Sequence, residues 1–432
     1  MSKIKAFKAV VYNPDKVDFS QVVCPPYDVI SPSSQDTYHK RSPYNLIHLL
    51  LGKDIPGEDK YRRAGAIFRD WLKEKILIQD NQAAIYFYSQ QYIIRGEKKT
   101  RLGFISLLRL GNKGGSDSAV FGHENTHLEA KNDRLKLITQ VKANLSPIFV
   151  VCLDKKRIIQ RVFHKLAAQK PYLEVKDLDN TAHRLWKVEA TDIVALVESS
   201  MDKESMFIAD GHHRYEVACA YRDLMLEKAE KLGSVFDNTK DFNYVLTYFT
   251  NTDPRGLSIL PIHRLLKLDT RLDLEDFILQ AKEYFDVDQI KDKTRFLFLM
   301  AKAGGTEHLI GMYINKKYFL LRLKNIRILD KLIADKPKEY RALDVAILNY
   351  LVFKNILKLD LSNLSEIKYS PEPEELIQEV DADPYLLAFF LNPVKMEQII
   401  NVALGGNKMP PKSTYFYPKV LSGLVINKFE KE

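Results

Sequence analysis

At 432 residues, the chain is too long for one small core and predicts at least two lobes. Its composition, 46% hydrophobic and 28% charged, is that of an ordinary globular protein and excludes extensive disorder. A formal charge of +9 would suit a polyanion, but the basic residues are spread along the chain without forming an arm. Nucleic acid is therefore disfavoured as a partner, and a local basic subset serving an anionic small molecule is expected. No apolar run approaches a bilayer span, the amino terminus has no cleavage site of the signal-peptide kind, and Cys24, Cys152 and Cys219 lack CxxC spacing. A cytoplasmic protein without a membrane partner is expected, and a homodimer stays open.

The first 55 residues carry Pro25, Pro26, Pro32 and Pro43 amid short apolar pieces, which predicts loops around brief strands. Tyr27, Asp28 and Asn45 lie on these stiffened loops, where they either supply polar groups to a site or pack and cap a helix. From Glu58 to Ile76, Tyr61, Ala64, Phe68, Trp71 and Leu72 share one helical side. Ala83–Ile94 and Thr100–Leu110, joined through Arg95-Gly96-Glu97-Lys98, read as an antiparallel hairpin, and 111–118 as a loop.

His123-Glu124-Asn125-Thr126-His127 spells HExxH. On a helix its histidines would share one face and hold zinc, with Glu124 as the base of a metal-dependent hydrolase. The preceding glycine-rich loop and the weak helix formers Asn125 and Thr126 argue against that helix, so zinc is disfavoured. His123, Glu124, Lys131 and Arg134 are read instead as polar contributors to an anion site.

A helix is predicted over Leu128–Ala143, a strand over Pro147–Leu153 and a helix over Lys156–Leu166. Then comes the most informative stretch. The apolar run Met206–Ala209 reads as a buried strand, Asp210-Gly211-His212-His213-Arg214 interrupts it, and helical spacing resumes from Tyr215. The first N–H groups of a helix lack intrahelical partners and its dipole favours negative charge, so the backbone of 211–213 can cradle phosphate. Arg214 can clamp it, His212 and His213 can donate, and Asp210 can hold a divalent cation or accept a proton. The plainer alternative is a tight turn with surface histidines.

A strand at Tyr244–Phe249 and a turn at Asp253–Gly256 follow, and then His263 and Arg264 sit beside apolar positions. Beyond 270 the pattern gives a helix at Leu274–Phe285, a hairpin around Gly304-Gly305 and a long helix near Tyr340–Leu357. Either lysine of the proline-flanked run 409–419, Lys412 or Lys419, could neutralise a phosphate. The division expected is an α/β domain over 1–268 and a second lobe over 269–432, with 409–432 packing back near the site.

Several motifs stand in the right order for the bacterial and archaeal family of unknown function DUF1015, which the chain resembles nearly end to end: Pro25–Ser31, Ser42–Asn45, His123–Thr126, Lys131–Leu135, Ala143–Phe149, Arg184–Trp186, Ala209–Tyr215 and Pro410–Lys419. His127 lies outside that pattern. Asp-Gly-His-His-Arg also resembles the phosphate-gripping motif of the ParB and sulfiredoxin superfamily, most closely in the ParB-like free serine kinases. This second resemblance spans about ten residues. Sulfiredoxin chemistry needs a cysteine where this chain has His212 or His213, which disfavours it.

The resemblance implies an α+β fold, mixed α/β, with a ParB/sulfiredoxin-like strand-turn-helix inside a larger two-lobe architecture. It implies binding of a phosphorylated small molecule, with ATP or ADP as donor and Mg2+ held by Asp210 and Glu124, and phosphoryl transfer to or from a hydroxylated metabolite such as serine. Asp210, Glu124, His212 and His213 would be catalytic. Gly211, Arg214, Lys131 and Arg134 would bind phosphate, supported by His123, Tyr27, Asp28, Asn45, His263 and Lys412. The rival reading is a nucleotide-gated DNA-binding or scaffold protein of the ParB kind, for which no helix-turn-helix is evident.

Overall fold

The computed structural model describes residues 3–111, 120–233, 237, 239–304, 306–361 and 367–429. Most of the loop read at 111–118 and Gly305 of the expected hairpin lie outside them. The chain forms two units, one of residues 1–122, 126–258 and 418–432, the other of 123–125 and 259–417.

In the first unit, β1 (Ile4–Lys5) and β2 (Val10–Tyr12) precede the short helices α1 (Phe19–Val22), α2 (Pro32–Arg41) and α3 (Ile47–Leu50) and the longer α4 (Lys60–Lys73). Side chains just ahead of these helices start them: Asp18, Ser31 and Asp59 accept from the first-turn amides of α1, α2 and α4. β3 (Leu77–Gln79) pairs with β2. Next, β4 (Ile85–Ile94) turns into β5 (Glu97–Arg109) through Arg95 and Gly96 alone, at φ 50° and 79°. A two-residue turn with both residues left-handed matches the twist of the flanking strands, so the hairpin is tighter than the four-residue connection read from the sequence.

The rest of the unit is β6 (Val120–Phe121), α5 (Leu128–Val141), β7 (Ala143–Asn144), β8 (Ile148–Cys152), α6 (Ile158–Leu166), β9 (Leu173–Lys176), β10 (Ala182–Val188), α7 (Thr191–Met201), β11 (Met206–Asp210), α8 (His212–Lys231) and β12 (Tyr244–Asn251). The sheet runs β6-β11-β8-β12-β5-β4-β10-β9, with β1 on β5. β11 is antiparallel to β8 and parallel to β6, while β8 and β12 are parallel.

Ile158, Val162, Val197 and Met201 of α6 and α7 pack on Phe87, Phe104, Val150 and Ile208 of the sheet. Each such large side chain removed from water contributes roughly 1.5–3 kcal/mol. A second cluster joins β2, α3, α4 and α5 through Leu46, Phe68, Trp71, Leu137 and Val141. The end of the chain completes this unit: Ser422 bridges to Cys24, Ile426 to Val10, and Asn427–Lys428 pairs with β7.

The second unit is built on a sheet ordered Phe285–Ile290, Lys317–Leu323, Leu309–Ile314, Leu386–Phe390, His263–Lys267, Ile367–Ser370. It carries α9 (Leu274–Tyr284) and α10 (Lys293–Ala303). The expected hairpin at Gly304-Gly305 is displaced: Gly304 ends α10, and the turn falls at Asn315-Lys316, both at positive φ. Asparagine enters the left-handed region more readily than most residues, a signal outweighed in the sequence by the paired glycines. The long helix read at 340–357 is instead broken into Lys338–Arg341, Asp344–Ile347 and a wide-turned stretch at Leu348–Ile356. The fold is mixed α+β.

Candidate anion site at the start of helix α8

The junction forms as strand, turn and helix. β11 pairs regularly with β8 as far as Ile208, skips a register at Ala209, and ends with Asp210 opposite Phe149. Gly211 follows at φ 89° and starts α8. Glycine is needed twice over here, because a side chain would be strained at that φ and its Cβ would lie 3.0 Å from the Arg214 guanidinium. Arg214 therefore folds back over the turn. Its Nη1 donates to the Pro147 carbonyl and its Nη2 to Asp210, the latter at 2.6 Å, while its buried Nε has no hydrogen-bond acceptor.

Asp210 has a second cation. The Lys419 ammonium donates to its other oxygen, and all three side chains are nearly buried, at 11–13% exposure. The placing of Lys419 follows from its backbone: Arg101, buried and stacked 4.5 Å over Phe149, donates to the Pro418 carbonyl, and Gln90 donates to the Lys419 carbonyl at 2.9 Å. Burial alone would push the Asp210 carboxyl up, but Lys419 and Arg214 outweigh it and hold the pKa well below the usual carboxylate range.

Asp210 thus becomes a counter-ion. With both oxygens bonded to cations it is a poor proton acceptor, and a divalent ion there would be repelled by Lys419 and Arg214. The expected base and Mg2+-ligand roles do not fit this geometry. Among the described residues, no group of three or more His, Cys, Asp or Glu could hold a metal ion.

The first turn of α8 meets the start of α5. His213 Nε2 accepts from the His127 amide at 2.9 Å, and Glu216 accepts from the Thr126 hydroxyl and, at 3.2 Å, from the Lys131 ammonium. Lys131 is therefore half of an ion pair, and Glu216 is a participant whose only sequence signal was its place one turn into the helix. His212 is buried. HExxH does not form a helix: His127 is the N-cap of α5, so the two histidines do not share a helical face. His123 and Glu124 belong to the second unit, where His123 contacts the Thr414 hydroxyl at 3.2 Å and its carbonyl accepts from the Met409 amide.

Arg134 and Tyr27 do come to the site. The Arg134 guanidinium lies 4.3 Å over the Tyr27 ring, donates to the Leu50 carbonyl at 2.8 Å and pairs with Asp133. Tyr27, Arg134, Ser146 and Arg214 line one cavity of about 60 Å³ with apolar walls that include Leu137 and Val217. Burial, then Asp28, raise the Tyr27 phenol to about 12, so it stays protonated and can donate. Beyond the Tyr27–Arg134 stack lies a larger cavity of about 440 Å³, which shares Tyr27, Leu50, Arg134 and Leu137 and adds Lys53 and Lys60, paired there with Asp36 and Asp54.

Two loop residues do other work. Asn45 is wholly buried, donates to the Gln21 and Val23 carbonyls and accepts from the Ile47 amide, so it bolts the loop to α3. Asp28 is exposed. His263 and Lys412 belong to the second unit: His263 is buried and accepts from the Leu391 amide at 3.2 Å, and Lys412 is exposed. Of the two lysines in the run 409–419, Lys419 is the one bonded at the α8 junction.

No curated protein matches the chain. Among solved structures, a free serine kinase variant in complex with ADP is similar at 12% identity and a TM-score of 0.33, over 69% of this chain and 84% of that one. SbnI with a C-terminal truncation from Staphylococcus aureus is similar at 10% and 0.37, over 74% and 86%. A conserved hypothetical protein from Pyrococcus furiosus is similar at 12% and 0.31, over 70% and 89%. Scores of this size do not establish a shared fold. The sequence itself is decisive, because residues 4–346 match the model of DUF1015, a protein family of unknown function, and the chain belongs to that family.

Proposed function

We propose that the first unit binds a phosphate-bearing small molecule, with a nucleotide such as ADP or ATP the first to test. One observation carries the reading: Tyr27, Arg134 and Arg214 line a single cavity beside the start of α8. Arg134 and Arg214 are each paired with an aspartate, Asp133 and Asp210, so the pull on an anion comes from their guanidinium donors at the cavity wall rather than from a net charge. In partly desolvated surroundings those hydrogen bonds to phosphate are of the charge-assisted kind. The phosphate would lie toward Arg214, and the 440 Å³ cavity beyond Tyr27 has the volume for the remainder of the ligand.

Phosphoryl transfer to or from a hydroxylated metabolite, serine first, is the finer form of this proposal. Asp210 does not serve as its base, and Glu216 is the neighbouring carboxylate to test. Calorimetry with ADP, ATP, phosphoserine and inorganic phosphate should give saturable binding that weakens by about tenfold or more in Arg134→Met, a loss on the scale of one charge-assisted hydrogen bond. Tyr27→Leu should weaken it less. If none of these ligands binds the wild type, the reading fails. Incubation of ATP or ADP with serine, followed by phosphorus NMR, tests turnover, which Glu216→Gln should abolish if that carboxylate takes the proton.

A further inference from the structure

Arg264 is 2% exposed, yet among the described residues its hydrogen bonds go only to backbone: Nη1 to the Ile262 carbonyl and Nη2 to the Lys412 carbonyl at 3.0 Å. Its other polar neighbour is the Tyr369 ring at 5.6 Å. No ion pair to Arg264 occurs among the described residues, whereas the nearly buried Arg134, Arg214 and Arg222 each pair with an aspartate. Burial pulls its pKa down, but a guanidinium remains protonated at neutral pH. Carbonyl dipoles solvate a cation without neutralising it, so this charge is left without an anion.

The charge borders a cavity. Arg264, Thr306, His308, Asn392 and Ser413 line a space of about 180 Å³ that lies wholly within the second unit. Among the described residues, the buried Asn392 Nδ2 on this wall has no hydrogen-bond acceptor, an independent sign of a missing partner. Gly304 leaves room for the Asn392 amide, since a Cβ at that position would collide with it. The acids of the wall have partners, though Asp344 keeps its charge: it accepts from His308 at 2.7 Å, and Glu307 pairs with Arg322.

We propose that this cavity is a second ligand site, distinct from the one at α8, which takes a small oxyanion, a carboxylate or a phosphate, with Arg264 as its counter-ion and the Asn392 amide as a hydrogen-bond donor. It also gives a role to the Pro410–Lys419 motif, whose Lys412 carbonyl orients Arg264 and whose Ser413 lines the wall.

Full-length protein carrying Arg134→Met, which weakens the α8 site, is titrated with inorganic phosphate, malonate and chloride. Hydrogen exchange is followed at 391–395 and 304–308. Phosphate or malonate should slow exchange in these segments saturably, with chloride inert, and the preferred anion distinguishes the two sources. Arg264→Gln should abolish the effect and Asn392→Leu should weaken it by about tenfold. If Arg264→Gln does not fold, Asn392→Leu and Ser413→Ala carry the test. No saturable protection up to about 10 mM of either anion, or unchanged protection in Arg264→Gln or Asn392→Leu, overturns the proposal. A failure of nucleotide binding at α8 leaves these outcomes unaffected.

Discussion

Arg214 of the first unit and Arg264 of the second are both largely shielded from water, and they are treated in opposite ways. Arg214 has Asp210 four residues before it, and Asp210 in turn accepts from Lys419, so the charge in the first unit is arranged before any ligand arrives. Among the described residues, Arg264 has only carbonyls, an aromatic ring and a cavity. The contrast separates two uses of buried charge. A compensated cation fixes backbone and keeps a modest residual pull on an anion. An uncompensated one costs stability in the empty protein and regains it when an anion enters.

The largest test of the contrast is Asp210→Ala. It leaves Arg214 and Lys419 buried together without their anion and should cost about 3–5 kcal/mol in a denaturant titration. Arg264→Met should cost less, since it removes a charge that has no ion-pair partner among the described residues, and what it does cost comes from the Ile262 and Lys412 carbonyls losing their donor. A large loss there and a small one at Asp210 would invert the comparison.

A double-mutant cycle with Asp210→Asn and Lys419→Met should next give a coupling of roughly 1–3 kcal/mol. The same carboxylate sets a pH dependence. Its native pKa is depressed, so its contribution is fully present above the unfolded value, about 4, and is lost as pH falls through the native one. Thermal melts between pH 5 and 2, as rough bounds, should show this loss in wild type and less of it in Asp210→Asn. Equal acid sensitivity would remove the ion pair as its cause.

Smaller is Gly211→Ala, which places a side chain at φ 89° against the Arg214 guanidinium and should cost about 1–2 kcal/mol. At the bottom of the scale, Asp28→Ala should change stability by less than about 0.5 kcal/mol, because the residue is exposed. A larger effect on ligand affinity would return Asp28 to the site.

The β11–α8 junction was legible because its signals are local: an apolar run, a glycine able to take positive φ, and resumed helical spacing. The tight β4–β5 turn was half legible, since Arg95-Gly96 was visible but the extent of pairing beyond it was not. Lys419 was only one of two lysines on a proline-flanked run. Its selection depends on Arg101 and Gln90 gripping the backbone of 418–419 more than 300 positions away in the chain. The counter-ion role of Asp210 was illegible for the same reason, as it needs that distant ammonium. Asn45 read equally as a ligand or as a loop-packing and capping residue, and only its three backbone bonds decide for packing.

The return of the last residues to Val10, Cys24 and β7 has a kinetic consequence. The first unit is interrupted after Ser258 and resumes at Pro418, so its final strand pairing closes a loop as long as the whole second unit. Loop closure becomes more costly only slowly with length, and a folded insertion brings its own two ends to fixed positions, which shortens the effective search. Native contacts of such large sequence separation form late. During synthesis, β11 and α8 emerge long before Lys419 does, so Asp210 and Arg214 wait as a simple pair until Lys419 has been made.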